Sequence, residues 1–194
     1  MNIYDFDNTI YDGDTNKDLI FYSIKRYPIK VLKSIFRAKK IWCKYKNDKI
    51  PFSKVKESLL SFLFQIDNVD EYLDIFVDKN LNKIKTWYLN SKKENDIIIS
   101  ASYEIWISKF CKKLGIKYFI ATKTDKNGKI IGNNCKGIEK INRLKKEFPD
   151  YKINCAYSDS KSDIPMLEYA KKSYVVDKDN LIPYKKGIKF KNNG

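Results

Sequence analysis

The chain has 194 residues and a formal net charge of +15, from 39 Lys and Arg residues against 24 Asp and Glu residues. Apolar residues make up 43% of the chain and charged residues 32%, which excludes a disordered chain and fits one globular domain, with or without a sizeable insertion. The excess of basic residues favours anionic partners, among them phosphate esters, anionic lipid surfaces and nucleic acid.

The chain contains no histidine, which excludes histidine general bases, histidine-anchored zinc sites and nucleophilic triads that depend on histidine. Its scattered cysteines have no C-x-x-C spacing and predict reduced thiols in a cytoplasmic protein: Cys43, Cys111, Cys135 and Cys155. We expect neither a signal peptide nor a transmembrane helix, because no charged and then apolar leader precedes the first strand and no apolar run approaches about 20 residues.

The predicted elements begin with a short apolar strand at residues 3–4. A turn signal, Asp-Gly-Asp-Thr, follows at 12–15. From about 16 to 90 apolar residues recur at helical spacing, with the first predicted helix ending near Pro28 and the third starting at Pro51. Since this stretch shows little sign of strands, it predicts a helical insertion.

Strands and helices alternate from residue 96 onward. The predicted strands are 97–99, 118–121, 153–157 and 174–176, and a hairpin turn at 125–128 returns through 129–131. The predicted helices are 103–114 with Gly115 as its C-cap, 138–148, and 162–170 with Ser162 as its N-cap and Pro165 in its first turn. This alternation predicts an α/β fold with a doubly wound, Rossmann-like parallel sheet, over which the helical insertion forms a cap.

Two aspartates, Asp5 and Asp7, follow the first strand two positions apart. The carboxyl end of a strand is where open α/β sheets bind their ligands. Of two carboxylates held close together, one that stays ionised can act as a nucleophile while the other exchanges protons. An isolated Asp-x-Asp is more often a solvated turn, so the further polar clusters of the chain decide between the two interpretations.

A second polar cluster, Ser100-Ala101-Ser102, follows the predicted strand 97–99. A hydroxyl at the end of a buried strand, next to the start of a helix, suits a phosphate oxygen. Ser100 would donate to that oxygen, and the helix amides would add further hydrogen bonds. The alternative is that Ser100 or Ser102 only caps the helix that follows.

Acidic residues also follow the predicted strand 153–157, where Asp159 precedes Asp163 by four residues across a tight loop into a helix. Hard cations such as Mg²⁺ prefer carboxylate oxygens together with water and phosphate, so this pair is a candidate metal site.

Two lysines, Lys136 and Lys140, lie near the start of the preceding predicted helix, 138–148. For either lysine alone, surface charge is the alternative interpretation in so lysine-rich a chain.

Asp-Phe-Asp-Asn-Thr at 5–9 resembles the first motif of the haloacid dehalogenase-like (HAD) phosphohydrolases. Ser-Asp-Ser-Lys-Ser-Asp-Ile-Pro-Met-Leu at 158–167 resembles the fourth motif of the branch that contains phosphoserine phosphatases and phosphatidylglycerophosphatase-like proteins. The four clusters follow in the family's order, and the helical insertion lies where that branch carries its cap. The resemblance implies a HAD-like catalytic core at 1–14 and 92–194 and an all-helical cap at 15–91.

The resemblance also implies a mechanism. Asp5 would be the nucleophile that forms an aspartyl-phosphate. Asp7 would be the acid that protonates the leaving alkoxide and then, as a base, activates water. Mg²⁺ would be bound by the Asp5 carboxylate, the Asp7 main-chain carbonyl and Asp159, with Asp163 supporting.

The phosphoryl oxygens would be held by Ser100 and by one of the two lysines, again as the resemblance implies. Lys136 precedes Gly137, as in phosphoserine phosphatases, whereas Lys140 fits the Gly-x-x-Lys pattern of other members of the branch. We favour Lys140 and keep Lys136 as the alternative.

The predicted function is a Mg²⁺-dependent phosphomonoester hydrolase that acts on a small soluble ester. A phosphatidylglycerophosphatase-like lipid phosphatase and a phosphoserine phosphatase are alternatives within the family, although a phosphoserine carboxylate would have only Arg26 and Arg37 as cap arginines. A basic nucleic-acid-binding module is the alternative from another class. Because the chain shows no recognisable binding motif, no nucleic acid is expected; the sequence indicates no oligomeric state.

The predicted second helix carries basic residues at spacings of three, four, three and four: Lys30, Lys33, Arg37, Lys40 and Lys44. On a helix these positions form one continuous stripe. One interpretation is a solvated face. The other is a surface that rests on an anionic membrane, to which each basic residue adds about 1 kcal/mol, and this would suit a lipid phosphate as substrate.

Overall fold

Six strands form one sheet within the residues that a computed structural model describes, 1–47 and 50–190. Their order across the sheet is β3-β2-β1-β4-β5-β6. The strands are β1 (Asn2–Tyr4), β2 (Ile97–Tyr103), β3 (Tyr118–Thr122), β4 (Cys155–Ser158), β5 (Lys172–Asp177) and β6 (Asn180–Pro183). β1 to β5 run parallel and β6 is antiparallel to β5, so the predicted parallel α/β sheet is confirmed.

Helices fill the segment between β1 and β2 and then alternate with the later strands. The helices before β2 are α1 (Thr15–Ile24), α2 (Pro28–Lys46), α3 (Phe52–Leu60), α4 (Val69–Asn80) and α5 (Thr86–Ser91). Those after it are α6 (Glu104–Leu114), α7 (Ile138–Glu147) and α8 (Ile164–Tyr169). In the described part of the insertion no strand occurs, as predicted. No described helix is both long enough and apolar enough to span a bilayer.

Local sequence signals determine where several helices begin and end. The Asp14 carboxylate accepts hydrogen bonds from two amides of the first turn of α1 and is its N-cap. Pro28 opens α2, where its fixed φ and missing N–H are compatible with the first turn. Gly115 ends α6 with a φ of +68°, a conformation that glycine adopts without strain, which confirms the predicted C-cap.

Apolar clusters cover both faces of the sheet. Successive strand side chains point to opposite faces, so neighbouring residues of one strand join different clusters. Tyr4 and Ile98 join an apolar cluster with α6 and the helices of the insertion. Ile3, Ile97 and Ile99 join a second cluster with α7 and α8. The sheet is therefore doubly wound, as the alternation of strands and helices predicts.

The first apolar cluster is continuous across the predicted boundary between core and cap. It contains Phe6 of the predicted core together with Leu60 and Phe76 of the predicted cap. An ion pair of 2.7 Å between Lys109 of α6 and Asp70 of α4 adds a polar link between the two parts. The insertion therefore packs against the core through a shared apolar interior.

The predicted division into a core at 1–14 and 92–194 and a cap at 15–91 stays a prediction, since one cluster of buried residues serves both parts. Residues 191–194 of the predicted core lie outside the described residues.

The strand order changes direction between β1 and β4. From β1 the chain builds β2 and β3 on one side and then crosses to β4 on the other side. In open α/β sheets the crevice at such a point binds ligands at the carboxyl ends of the strands. Asp5 directly follows β1, Asp159 directly follows β4, and the Asp5 amide donates to the Tyr157 carbonyl at 2.9 Å.

Two local predictions differ from the structure. Ser162 is not an N-cap, because a 3-10 turn (Lys161–Asp163) precedes α8 and the Ser160 hydroxyl accepts from the Ser162 amide. The predicted return strand at 129–131 contributes only an isolated bridge between Thr124 and Ile130. The turn at 125–128 does form. Its Asp-Lys-Asn-Gly signal therefore predicts the turn correctly, but the residues after it do not pair as a strand.

The strand β6 has no counterpart among the predicted strands. All four of its residues are exposed, so it lacks the alternation of buried and exposed positions that identifies a half-buried strand. Lys178 occupies the tight turn before it with a φ of +56°, where Gly or Asn would have been the recognisable signal.

Candidate active site

Lys140 lies between two aspartates at the carboxyl ends of β1 and β4. Its Nζ donates to Asp5 Oδ1 at 2.5 Å and to Asp163 Oδ2 at 2.7 Å, and the residue is 1% exposed. Lys140 belongs to the first turn of α7, Asp5 follows β1, and Asp163 ends the 3-10 turn after β4. Segments that are far apart in sequence therefore form one buried ion-pair cluster.

Asp159 joins this cluster through Thr9. The Thr9 hydroxyl lies 3.1 Å from Asp5 Oδ2 and 3.3 Å from Asp159 Oδ1, and it accepts from the Asp159 amide at 3.0 Å. Thr9 and both aspartates are buried. The carboxylates of Asp5 and Asp159 therefore lie beside a common hydroxyl group.

The pKa values of the cluster reflect its burial and its crowded carboxylates. Burial raises the pKa of Asp5 well above its ordinary value; Lys140 opposes this rise, and the Asp163 and Asp159 carboxylates add to it. Burial alone would lower the pKa of Lys140, but the Asp163 and Asp5 carboxylates more than offset that effect and hold the pKa above its ordinary value. At Asp5, burial and the neighbouring carboxylates therefore outweigh the Lys140 ammonium and disfavour the ionised form.

The donor set fits a hard divalent cation. Mg²⁺ takes one or two protein carboxylates together with water and phosphate oxygens, and Asp5 and Asp159 present carboxylate oxygens beside the same hydroxyl. Burial and the neighbouring carboxylates raise the pKa of Asp5, and such an ion would oppose that rise and favour the ionised carboxylate. Asp163 is turned to Lys140 and to the Ser158 hydroxyl, 2.8 Å away. Within the described residues no three acidic or thiol side chains form a preformed cage.

Asp7 belongs to a second hydrogen-bond network, at the junction with the insertion. Its Oδ2 accepts from the Ser102 hydroxyl and its Oδ1 from the Thr15 amide, both at 2.6 Å. Ser102 Oγ in turn accepts from Asn16 Nδ2 at 2.8 Å, which directs its own hydrogen toward Asp7. Because Thr15 and Asn16 open α1, the first helix of the insertion determines the orientation of Asp7.

The Asp7 carboxyl group has a pKa close to neutral pH. Burial raises the pKa of Asp7 to about 6 and the Asp14 carboxylate adds to the rise, whereas hydrogen bonds from Ser102 and Thr15 oppose it. A group with such a pKa is populated in both protonation states near neutral pH. This is the property that a group needs if it first donates and later accepts a proton.

Ser100 lies within β2, which continues to Tyr103. It is fully buried, and its hydroxyl accepts from the Ser102 amide at 3.0 Å. Ala101 and Ser102 line the neighbouring cavity. The capping alternative does not hold, because Tyr103 occupies the N-cap position of α6 and makes no side-chain capping hydrogen bond.

The two candidate lysines have different surroundings. Lys136 is exposed, precedes α7 and lines the cavity, whereas Lys140 is buried against the aspartates. Gly137 separates Lys136 from the helix with a φ of +61°, and a Cβ there would lie 3.3 Å from the Ser162 carbonyl oxygen. The glycine therefore lets α7 start close to the turn that carries Asp163, which brings Lys140 within reach of that carboxylate.

A cavity of about 420 Å³ opens beside both networks. Its polar wall comes from the core, at the carboxyl ends of the strands and the first turn of α7: Asp5, Asp7, Ser102, Lys140, Asp159 and Asp163. Its apolar wall comes from α1 and α3 of the insertion: Ile20, Phe52, Val55, Leu59 and Leu60. The cavity therefore offers a charged end for one part of a ligand and an apolar end for another.

Lys56 of α3 reaches across this cavity toward the core. Its Nζ donates to the Ala101 carbonyl and to Asn134 Oδ1, the latter at 3.2 Å, and lies 4.6 Å from the centre of the Tyr103 ring. Burial lowers the pKa of Lys56 to about 8, although the Asp7 carboxylate opposes this. The sequence does not single out Lys56 among the many lysines, because its position depends on how α3 packs.

Comparison with known families identifies one match over most of the chain. The haloacid dehalogenase-like hydrolase family matches residues 3–168, which include the four polar clusters. Among curated proteins, Protein CicA of two Caulobacter vibrioides strains is 35% identical over 81 residues, or 38% of this chain and 36% of CicA. The match therefore spans about a third of the length of that relative.

Solved structures share the fold at low sequence identity. A protein of unknown function from Bordetella pertussis Tohama I has a TM-score of 0.71 and 16% identity, covering 90% of this chain and 88% of that one. A phosphoserine phosphohydrolase-like protein from Francisella tularensis subsp. tularensis SCHU S4 has a TM-score of 0.53 and 20% identity, with 90% and 87% covered. A phospho-aspartyl intermediate analogue of phosphoserine phosphatase has a TM-score of 0.52 and 22% identity, with 89% and 84% covered.

Proposed function

The chain belongs to the haloacid dehalogenase-like hydrolase family, and from this premise we propose that it hydrolyses phosphate monoesters through a phosphorylated Asp5. The observation that carries the proposal is the buried Lys140 ammonium between Asp5 and Asp163. Phosphoryl transfer depends mainly on positioning and on electrostatic stabilisation of the transferred group. A buried cation in contact with the nucleophile would supply that stabilisation where the negative charge develops.

In the first step an Asp5 carboxylate oxygen attacks phosphorus and the bond between phosphorus and the leaving oxygen breaks. Asp7 transfers its carboxyl proton to that leaving oxygen, which departs as an alcohol. Ser102 and Thr15 hold the Asp7 carboxyl in one orientation during this transfer. The products of the step are an aspartyl-phosphate on Asp5 and an ionised Asp7.

In the second step the ionised Asp7 takes a proton from water while the water oxygen attacks phosphorus. The bond between phosphorus and the Asp5 oxygen breaks, phosphate leaves, and Asp5 returns as a carboxylate with Asp7 protonated. The pKa of Asp7, raised by burial to about 6, supports both roles because neither protonation state is strongly disfavoured.

We propose that Mg²⁺ is held by the Asp5 carboxylate, the Asp7 main-chain carbonyl and Asp159, with Asp163 in a supporting position. When bound, Mg²⁺ would neutralise negative charge on the carboxylates and on the phosphoryl oxygens. Asp163 positions the lysine, since its Oδ2 accepts from Lys140 at 2.7 Å.

Lys140 is the proposed lysine for the phosphoryl oxygens, and its buried contact with Asp5 supports it over the exposed Lys136. Ser100 is kept as the proposed hydroxyl donor to the same oxygens. Ser102 is a further candidate for this contact, because it lines the cavity and already touches Asp7.

A small soluble ester is the proposed substrate, and a lipid phosphate is the second candidate. The observation that favours the second is the apolar wall of the cavity, which is contributed by α1 and α3. An ester whose leaving group continues into a hydrocarbon chain would bury that chain against this wall. The removal of apolar surface from water stabilises the complex by about 25 cal/mol per Å².

The phosphoserine alternative would need a cation for the substrate carboxylate. The cap arginines are engaged elsewhere: the Arg26 guanidinium lies 4.3 Å from the centre of the Tyr22 ring, and Arg37 donates to Ser34. Neither arginine lines the cavity, whereas Lys56 does, and we propose Lys56 for this contact beside its hydrogen bonds to Ala101 and Asn134.

A cytoplasmic location is part of the proposal and is supported by cysteines that are free thiols.

Purified protein with Mg²⁺ and a panel of esters tests the proposal. The panel comprises an aryl phosphate, phosphoserine and lipid phosphates in mixed micelles, and phosphate release from at least one ester is expected. Asp5→Asn should abolish release with an unchanged circular dichroism spectrum, while Asp12→Asn, at an exposed nearby position, should keep it. Wild-type turnover by Asp5→Asn, or no release from any ester, would exclude the proposed reaction.

A further inference from the structure

The outer face of α2 carries large apolar side chains as well as lysines. Ile29, Leu32 and Phe36 are 68%, 43% and 65% exposed, and their spacing of three and four residues places them on one helix face. We call these three residues the apolar ridge. Phe21, on the adjoining helix α1, is 67% exposed. Exposed apolar side chains that are grouped in this way mark an interaction surface.

The apolar ridge is not what holds α2 on the protein. The buried residues of α2 are Val31, Ser34 and Ala38, which share the opposite face, and α2 packs against α1 and α3. The helix therefore has two apolar faces with different roles. One is covered by its neighbours, and the ridge faces away from them.

Lysines flank the ridge on both sides. α2 has 19 residues and contains no acidic residue, so its charge is entirely positive. At 3.6 residues per turn, one side of the ridge carries Lys33, Lys40 and Lys44 and the other side carries Lys39 and Lys46. The outer face of α2 therefore combines an apolar centre with basic margins.

Two residues of the basic stripe predicted from sequence contact the protein. Lys30 Nζ donates to the Gln65 carbonyl at 2.5 Å. Arg37 Nη2 donates to the Ser34 and Ser61 hydroxyls, both at 3.2 Å. The outward charge of α2 is therefore supplied by the lysines that flank the ridge, and the sequence spacing alone overstates the stripe.

We propose that the outer face of α2 docks on an anionic lipid bilayer. The helix would lie in the plane of the interface, with the ridge among the headgroups and acyl ends and the flanking lysines on lipid phosphates. Charge complementarity selects the bilayer over a second copy of this chain, because a symmetric dimer would bring two basic faces together. Docking does not depend on the proposed hydrolysis.

Vesicle sedimentation with the full chain tests the proposal. Vesicles of phosphatidylcholine with phosphatidylglycerol should sediment the protein at low salt and release it at high salt, and vesicles of phosphatidylcholine alone should not bind it. Lys33→Glu with Lys40→Glu should weaken partitioning by about 25-fold or more, since each lysine near the surface contributes about fivefold. Phe36→Ser should weaken partitioning by about tenfold through the loss of buried apolar area.

The matched control is Lys146→Glu with Lys186→Glu, the same charge change at exposed positions outside α2. It should retain most of the binding, and circular dichroism should be the same for all variants. Failure to bind anionic vesicles at low salt would overturn the proposal. Equal losses in the two double variants would do so as well. A lipid-free dimer that Phe36→Ser dissociates would assign the ridge to a second copy. Hydrolysis of a soluble ester is measured separately, so that a failure of the proposed function is distinguished from a failure of vesicle docking.

Discussion

Lys140 and Asp5 are 135 residues apart in the sequence, and the lysine Nζ lies 2.5 Å from Asp5 Oδ1 in the fold. The contact is buried, and the same Nζ reaches Asp163 Oδ2 at 2.7 Å. A charge network of this kind is sensitive to the loss of one member, because the remaining charges are left in an environment that solvates them poorly.

Changing this lysine should therefore impair the reaction and the fold together. Lys140→Ala should cost about 2–4 kcal/mol of transition-state stabilisation, the scale of a lost electrostatic donor. It should also lower the free energy of unfolding, because Asp5 and Asp163 lose their common partner. Kinetics under conditions where circular dichroism shows folded protein, with a separate urea titration, measure the two effects.

Lys136→Ala is the matched control for this prediction, since Lys136 lines the same cavity but is exposed. It should change activity and stability little, as surface substitutions usually do. Equal and small effects from both alanine variants would remove the lysine from the proposed mechanism.

Removal of divalent metal should abolish hydrolysis. EDTA should stop turnover and Mg²⁺ should restore it, whereas Ca²⁺ should inhibit, because its longer and less regular coordination misplaces the reacting groups. Mg²⁺ should also raise the unfolding temperature of the wild type, since a ligand that binds only the native state stabilises it. Asp159→Ala should lose both responses. Full turnover in EDTA would contradict this prediction.

The hydrogen bond from Ser102 to Asp7 should be visible in the pH dependence of the first step. Ionised Asp7 cannot donate a proton, so kcat/KM for an alkyl phosphate should fall as pH rises through the Asp7 pKa, which burial raises to about 6. Ser102 lowers this pKa by donating to the ionised carboxylate. Ser102→Ala should therefore raise the pKa of Asp7 and move the descending limb of the kcat/KM profile to higher pH.

Comparing the two proteins on one substrate cancels the titration of the substrate phosphate itself. An aryl phosphate serves as a second comparison, because its better leaving group depends less on proton donation and should show a weaker limb. A descending limb at the same pH in wild type and Ser102→Ala would show that Asp7 is not the titrating acid.

Lys56 should affect the selection of substrates with an anionic leaving group. Lys56→Ala should raise KM for phosphoserine by about tenfold, the scale of one hydrogen bond to a charged group. It should affect KM less for an aryl phosphate whose leaving group carries no charged substituent. The pKa of Lys56, lowered by burial to about 8, predicts that this advantage of the wild type declines above that pH. Lys54→Ala, at an exposed position of the same helix, is the control. Equal KM changes for both esters would contradict the role.

Much of the candidate site could be inferred before any tertiary contact was known. Asp5 and Asp159 follow strands whose apolar residues are recognisable, and parallel strands bring their carboxyl ends to one edge. The period of apolar residues predicts the helical insertion, and the motif resemblance predicts a family that the match over residues 3–168 confirms. These inferences depend on local pattern and order along the chain, which the sequence contains directly.

Tertiary packing decided which polar groups act together. Thr9 and Ser102 belong to polar clusters that the sequence singles out, but their partners Asp159 and Asp7 lie on other segments, and Lys56 carries no distinctive local signal at all. They reach the site because a loop, a strand and a helix of the insertion meet there. Packing also turned Lys30 and Arg37 toward neighbouring groups, although their spacing predicts an outward stripe. Periodicity gives the face of a helix, but the direction of a long side chain depends on partners from distant segments, which only the folded chain brings within hydrogen-bonding distance.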